Sequence, residues 1–214
     1  MTFDLSDHLG LMQRDVRNLE RDGKPAKAVI AARVYPTDAA DLWDALTRPE
    51  RIKRWFAPVS GDLRQGGTYQ VEGNASGTIT ECAPHQHIVL TWEFGGGVSW
   101  VELRLTPEGE GTRLELTHTA HIDPHWDKFG PGAVGVGWDL SFMGLARHIA
   151  EPSTAVAAEA VEGWYATDEY KGLVRTTSDD WGRAAIAAGE ERGHALAAAE
   201  ATRAFYTGET PPEN

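Results

Sequence analysis

AVGVGWDLSFMGLARHI, residues 133–149, decides how this chain is read, together with the glycine-rich approach FGPG at residues 129–132. Val134, Trp138, Phe142, Leu145 and Ile149 recur at helical spacing and form one apolar stripe. A helix with such a stripe needs a surface to cover. Residues 26–121 supply one, because they read as strands and short helices that each carry an apolar face. The expected arrangement is a long helix lying across a curved antiparallel sheet, with the gap between them either packed solid or left as a pocket.

Residues 26–35 (AKAVIAARVY) alternate, with Ala28, Ile30, Ala32 and Val34 on one face and Lys27 and Arg33 on the other. Pro36 ends that strand. Thr37 is placed to cap a helix whose Ala39, Leu42, Trp43 and Leu46 make an apolar stripe. Pro49 suits the first turn of a second short helix, expected to end at Trp55 and Phe56. From Gly61 onward the pattern is that of a meander, with short alternating runs separated by turn residues. Ile88, Leu90, Trp92 and Phe94 alternate with Val89, Thr91 and Glu93. Val101, Leu103 and Leu105 face inward against Glu102 and Arg104, as do Leu114, Leu116, His118 and Ala120 against Arg113, Glu115 and Thr117. Strand, two short helices, meander and long helix together define the α+β class.

Residues 1–25 read as an N-terminal extension: a short helix near residues 5–12, then a strand up to Arg21 that turns at Asp22-Gly23. Residues 26–150 form the main domain. Beyond it, residues 151–214 read as a C-terminal extension of two or three helices, at about 155–163, 167–188 and 190–205. Tyr170, Leu173, Val174, Trp181 and Ala185 give the middle helix an apolar side. These helices are expected to pack on their own domain or to form a homodimer interface, and the tail TGETPPEN to be frayed.

A net charge of −12 disfavours nucleic acid and anionic membrane as partners. No apolar run approaches the ~18 residues of a membrane span, and MTFDLSDHLG lacks the pattern of a secretion leader. A single cysteine, Cys82, excludes an internal disulfide framework. A cytoplasmic protein is expected.

Three segments, RPERIKRWFAPVSGDLRQGGTYQ (residues 48–70), IVLTWEF (88–94) and GWDLSFMGL (137–145), resemble the START-like, helix-grip superfamily abbreviated SRPBCC. Within it they resemble the branch named for the C-terminal domain of the activator of the heat-shock-90 chaperone ATPase. The resemblance covers residues 26–150. It implies a deep cavity between sheet and long helix, with the two short helices at one end. It also implies binding of a small molecule, since most bacterial members are regarded as binding proteins, and it supplies no catalytic set and no cofactor. A chaperone-regulating or dimeric interaction protein is the alternative that the branch name raises. The chaperone-binding domain that precedes this fold in eukaryotic activators has no counterpart among these 214 residues.

The candidate ligand-binding residues are Trp55, Phe56, Tyr69, Trp92, Leu103, Leu116, His118, Trp138 and Phe142, which come from the exit of the short helices, the sheet face and the long helix. The occupant they fit is a small hydrophobic molecule, oriented by Tyr69, His118 and Glu81. If Ile79 faces inward, so does Glu81, and a carboxylate beside the His118 imidazole in an apolar pocket would serve a cyclase or dehydratase. Catalysis by Glu81 and His118 is therefore the enzymatic alternative. The run His118, His121, Asp123 and His125 carries metal-ligating types, but strand alternation puts His118 and His121 on opposite faces, so no metal site is assigned. GPGAVGVG (130–137) lacks the lysine and serine of a phosphate loop, and its glycines are assigned to turning the loop and letting the helix approach the sheet closely.

Overall fold

The computed structural model describes residues 5–153 and 163–209. The helix expected at 155–163, all but its last residue, and the tail at 210–214 lie outside the described residues. In chain order the elements are α1 (Leu5–Gly10), β1 (Gln13–Arg21), β2 (Lys24–Tyr35), α2 (Ala39–Thr47), α3 (Pro49–Ile52), β3 (Val59–Gly61), β4 (Thr68–Val71), β5 (Ser76–Ala83), β6 (His87–Phe94), β7 (Gly97–Glu108) and β8 (Gly111–His121). The helices α4 (Pro124–Phe129), α5 (Gly132–Ala150), α6 (Asp168–Ala187) and α7 (Arg192–Thr207) follow. The strands make one curved sheet in the order β1-β2-β8-β7-β6-β5-β4-β3, antiparallel from β8 through β3. This is the expected helix-grip α+β fold. No described helix is long and apolar enough to cross a membrane.

Local chemistry sets the turns. Asp22 and Gly23 have φ of 52° and 73°, the left-handed pair that a two-residue hairpin needs, and they join β1 to β2 as the sequence predicts. Gly95 and Gly96, at 60° and 82°, do the same between β6 and β7.

Three local expectations are corrected. Asp38, not Thr37, caps α2: its side chain accepts from the Asp41 N–H, while the Thr37 hydroxyl donates to the Asp41 carboxylate. The second short helix stops at Ile52, and Trp55 and Phe56 follow on a turn. In β2, Lys27 and Arg33 do not face water; the strand is buried on both faces along residues 26–33. The Lys27 ammonium pairs with Glu190, donates to Asn18 and lies 5.7 Å from the Trp126 ring, so its charge is matched inside the fold.

The chain divides into two compact units. The first comprises residues 1–30, 121–140 and 156–214; the second comprises 31–120 and 141–155.

In the first unit, α6 and α7 pack beside β1, α4 and the first half of α5. A Cβ on Gly135 would lie 2.3 Å from the Trp181 ring, so only glycine lets α6 sit this close. Trp181 Nε1 donates to the Asp139 carboxylate (2.9 Å), Arg14 Nε donates to the same group, and Arg14 reaches Asp180 as well. Tyr206 donates to the Ala133 carbonyl and Thr202 to that of Phe129.

In the second unit, residues 141–150 of α5 lie against the sheet. Tyr35, fully buried on β2, donates to the Phe142 carbonyl at 3.1 Å, with the two rings 6.2 Å apart. The Trp55 carbonyl sits where a Cβ on Gly144 would be, 2.4 Å away, which brings the α3 exit onto the helix. Arg51 ties the short helices together there, donating to Asp41 of α2 and to His148 of α5.

The expected apolar stripe of α5 describes only part of the burial. Phe142 and Leu145 are buried, whereas Val134, Trp138 and Ile149 are half-buried; Val136, Asp139, Met143 and Ala146 are buried instead. In the first unit, α6 covers a face of α5 that the periodicity leaves to solvent.

Candidate functional site

Strand register identifies the inner face. Leu90 pairs with Val101, Trp92 with Ser99, Val101 with His118 and Leu103 with Leu116, so all of these side chains share one side of the sheet. On β4, Tyr69 lies opposite Gly77, two residues before inward-facing Ile79.

Tyr69, Trp92, Ser99 and His118 form a row across this face. The Tyr69 ring lies 6.4 Å from that of Trp92, and Trp92 lies 6.3 Å from His118, edge-on. The Tyr69 hydroxyl donates to the Thr91 carbonyl at 2.7 Å. Burial, helped by the negative charge of Glu93, raises its pKa well above the ordinary phenol range. Ser99 Oγ gives its one proton to the Trp92 carbonyl (3.1 Å). The 2.8 Å contact between Ser99 Oγ and His118 Nε2 must then be an N–H donated by the histidine. The network thus assigns the Nε2–H tautomer, and burial lowers the His118 pKa to about 4. At neutral pH this face carries a neutral imidazole and a neutral phenol, suited to orienting a molecule rather than to moving a proton.

Around that row the apolar side chains are unevenly covered. Ile88, Val101, Leu105, Leu114 and Leu116 are buried, but Leu90, Trp92 and Leu103 on the same face are half-buried, as are Trp55 and Phe56 beyond α3. Trp55 Nε1 donates to the Ala45 carbonyl, and the Trp55 and Phe56 rings are 5.7 Å apart. Phe142 is buried beside Tyr35. Trp138, half-buried, belongs to the first unit.

The structure does not join Glu81 to His118. The register slips between Ile79 and Glu81, so Glu81 stands opposite outward-facing Val89, and Cys82 takes the inward place opposite Ile88. One extra residue reverses the parity that made Glu81 inward. Its carboxylate is exposed and lies 3.4 Å from His87 Nε2. Strands β6 and β7 intervene between β5 and β8, a separation of roughly 14 Å at the usual strand spacing. No proton can pass directly between the two side chains.

Sequence reasoning missed Ser99 and Leu90. Ser99 had a signal: it is a small polar residue at an inward position of an alternating strand, two residues before Val101. Among the other histidine-run residues, Asp123 caps α4 through the Trp126 N–H, and His125 packs on Phe129 at 4.8 Å. Among the described residues, no group of three or more metal-ligating side chains converges.

A curved antiparallel sheet holding the C-terminal half of a long helix, with two short helices after an early strand, defines the helix-grip class. The family model described as "Activator of Hsp90 ATPase homolog 1-like protein" matches residues 36–150, and the chain belongs to that family. It is 33% identical over 122 residues to the human activator of 90 kDa heat shock protein ATPase homolog 1, a match covering 49% of this chain and 33% of the human protein. The chain thus spans about a third of the length of that relative. Among solved structures, CalU16 from Micromonospora echinospora superposes with a TM-score of 0.67 at 30% identity, over 82% of this chain and 98% of CalU16. DynU16, a protein in the dynemicin biosynthetic locus, shares the fold, with a TM-score of 0.54 at 21% identity over 58% of this chain and 48% of its own.

Proposed function

We propose that this chain binds a small, mainly apolar molecule within the second unit, between the inner face of β6–β8 and residues 141–150 of α5. Trp55 and Phe56 stand at one end. The reading rests on one observation: Leu90, Trp92 and Leu103 face inward yet stay half-buried, while Ile88, Val101, Leu105, Leu114 and Leu116 on the same face are buried. A solidly packed core covers such side chains completely. A ligand that covers them gains about 25 cal/mol for each Å² of apolar surface taken from water. The neutral Tyr69, Ser99 and His118 row sets its orientation. The single cysteine fits a reducing, cytoplasmic setting. No cofactor is required.

Titration with the neutral apolar fluorophore N-phenyl-1-naphthylamine tests this. Probe emission rises and tryptophan emission falls, and the fall shrinks in Trp92→Phe, which keeps an aromatic ring in place. A wild-type protein that takes up no probe at concentrations of about 100 μM, which would mean a Kd far above the micromolar range, excludes the pocket.

A second reading comes from the name of the human relative: regulation of a heat-shock-90 ATPase by surface contact. Its measurement is the ATPase rate of that chaperone with and without this protein, and an unchanged rate removes it. Self-association through α6 and α7 is a separate proposal, decided by the mass in solution.

A further inference from the structure

We propose a second binding site on the opposite, outer face of the sheet, for a neutral or cationic polyhydroxylated molecule of monosaccharide size. An open depression of about 340 Å³ lies over β3, β4, β5 and the end of β6. That volume is at the lower end of ligand pockets, which run from roughly 300 to 1,000 Å³. Its lining includes the outward side chains of Ser60, Thr68, Gln70, Ser76, Thr78 and Glu93, with Tyr69 at its border. Register places these together: Ser60 stands opposite Gln70, Gln70 opposite Ser76, Thr68 opposite Thr78, and Ser76 opposite Glu93.

The lining is chemically specific. Four hydroxyls share this face, Thr68 beside Thr78 and Ser60 and Ser76 flanking Gln70, and among the described residues none of the four makes a side-chain hydrogen bond within the protein. The Gln70 amide nitrogen is held by the Val71, Asn74 and Ala75 carbonyls, which fixes the side chain in the lining. The one charge is the Glu93 carboxylate, steadied at one oxygen by the Thr91 hydroxyl. Hydroxyls donate and accept equally, so this row matches a ligand that presents several hydroxyls of its own. A lone carboxylate with no cation in the lining repels anions and favours an amine. Of the inward row only Tyr69 also borders the depression, while Trp92, Ser99 and His118 do not, so the two sites meet at a single residue.

Saturation-transfer NMR on the whole protein, with glucose, glucosamine and glucuronate as probes, tests the assignment. Glucose and glucosamine receive saturation, glucosamine more strongly, and glucuronate receives none. The double variant Thr68→Val, Thr78→Val keeps the β-branched shape and strand preference while removing two hydroxyls. It lowers the transfer at least fivefold and leaves N-phenyl-1-naphthylamine binding unchanged. Glu93→Gln abolishes the preference for glucosamine over glucose. No transfer from any probe at about 10 mM, a weaker affinity than millimolar binding allows, overturns the proposal. So does transfer that survives both variants unchanged.

Discussion

Gly135 has no room for a methyl group, because the Trp181 ring occupies the place where one would go. Gly135→Ala is expected to lower stability by about 1–3 kcal/mol, the usual effect of overpacking, read from urea unfolding. The sequence assigned these glycines to close approach of the helix to the sheet, but at Gly135 the partner is Trp181 of α6, to which nothing local to residues 130–137 points. His118 carries a second prediction. An unfolded histidine takes its proton near pH 6.5, whereas folded His118 resists until about pH 4. The stability it contributes is complete above pH 6.5 and is lost as pH falls toward 4. His118→Phe should flatten that part of the pH–stability curve, and the wild-type imidazole NMR signals should show no titration between pH 8 and 5.5. His118 was legible as inward-facing from alternation alone. Glu81 was misread by the same rule, because a single-residue bulge leaves no reliable mark in a stretch such as ITEC.

Among the elements, α5 was the clearest in the sequence and yet half misread. Its apolar stripe identified a helix but did not include Asp139, the one acidic residue in AVGVGWDLSFMGLARHI. In the structure it is buried, holding Arg14 of β1 and Trp181 of α6. Burial raises its pKa to about 6, although Arg14 and the indole N–H both favour the charged form. The folded chain therefore binds a proton between about pH 6 and 4 that the unfolded chain does not hold. Stability from this group is present at the low end of that window and is lost as pH rises through about 6. Asp139→Asn is expected to remove that slope in urea unfolding measured at pH 4.5 and pH 7. The slope is opposite in sign to that of His118, so the two variants separate the contributions.

At the scale of the whole molecule, α6 and α7 belong to the same compact unit as β1 and the start of α5. A chain ending at Ser153 would leave Arg14 and Asp139 without their α6 partners and uncover the face beside Gly135. It is expected to bind an apolar dye several-fold more than the full chain and to unfold without a sharp cooperative transition, checked by fluorescence and circular dichroism. The order of strands and helices apart from α4, which stands where the sequence reads as a loop, the Asp22-Gly23 hairpin, the inward set on β6–β8 and the apolar side of α6 were determined by the sequence alone. These depend on periods of two and 3.6 residues and on turn residues, which act over a few positions of chain. The tertiary structure decided the rest: the direction of Glu81, the burial of Lys27 and Asp139, the Ser99–His118 hydrogen bond and the hydroxyl row on the outer face. Each of these depends on register or packing between segments distant in the chain, and no local pattern encodes a partner that far away.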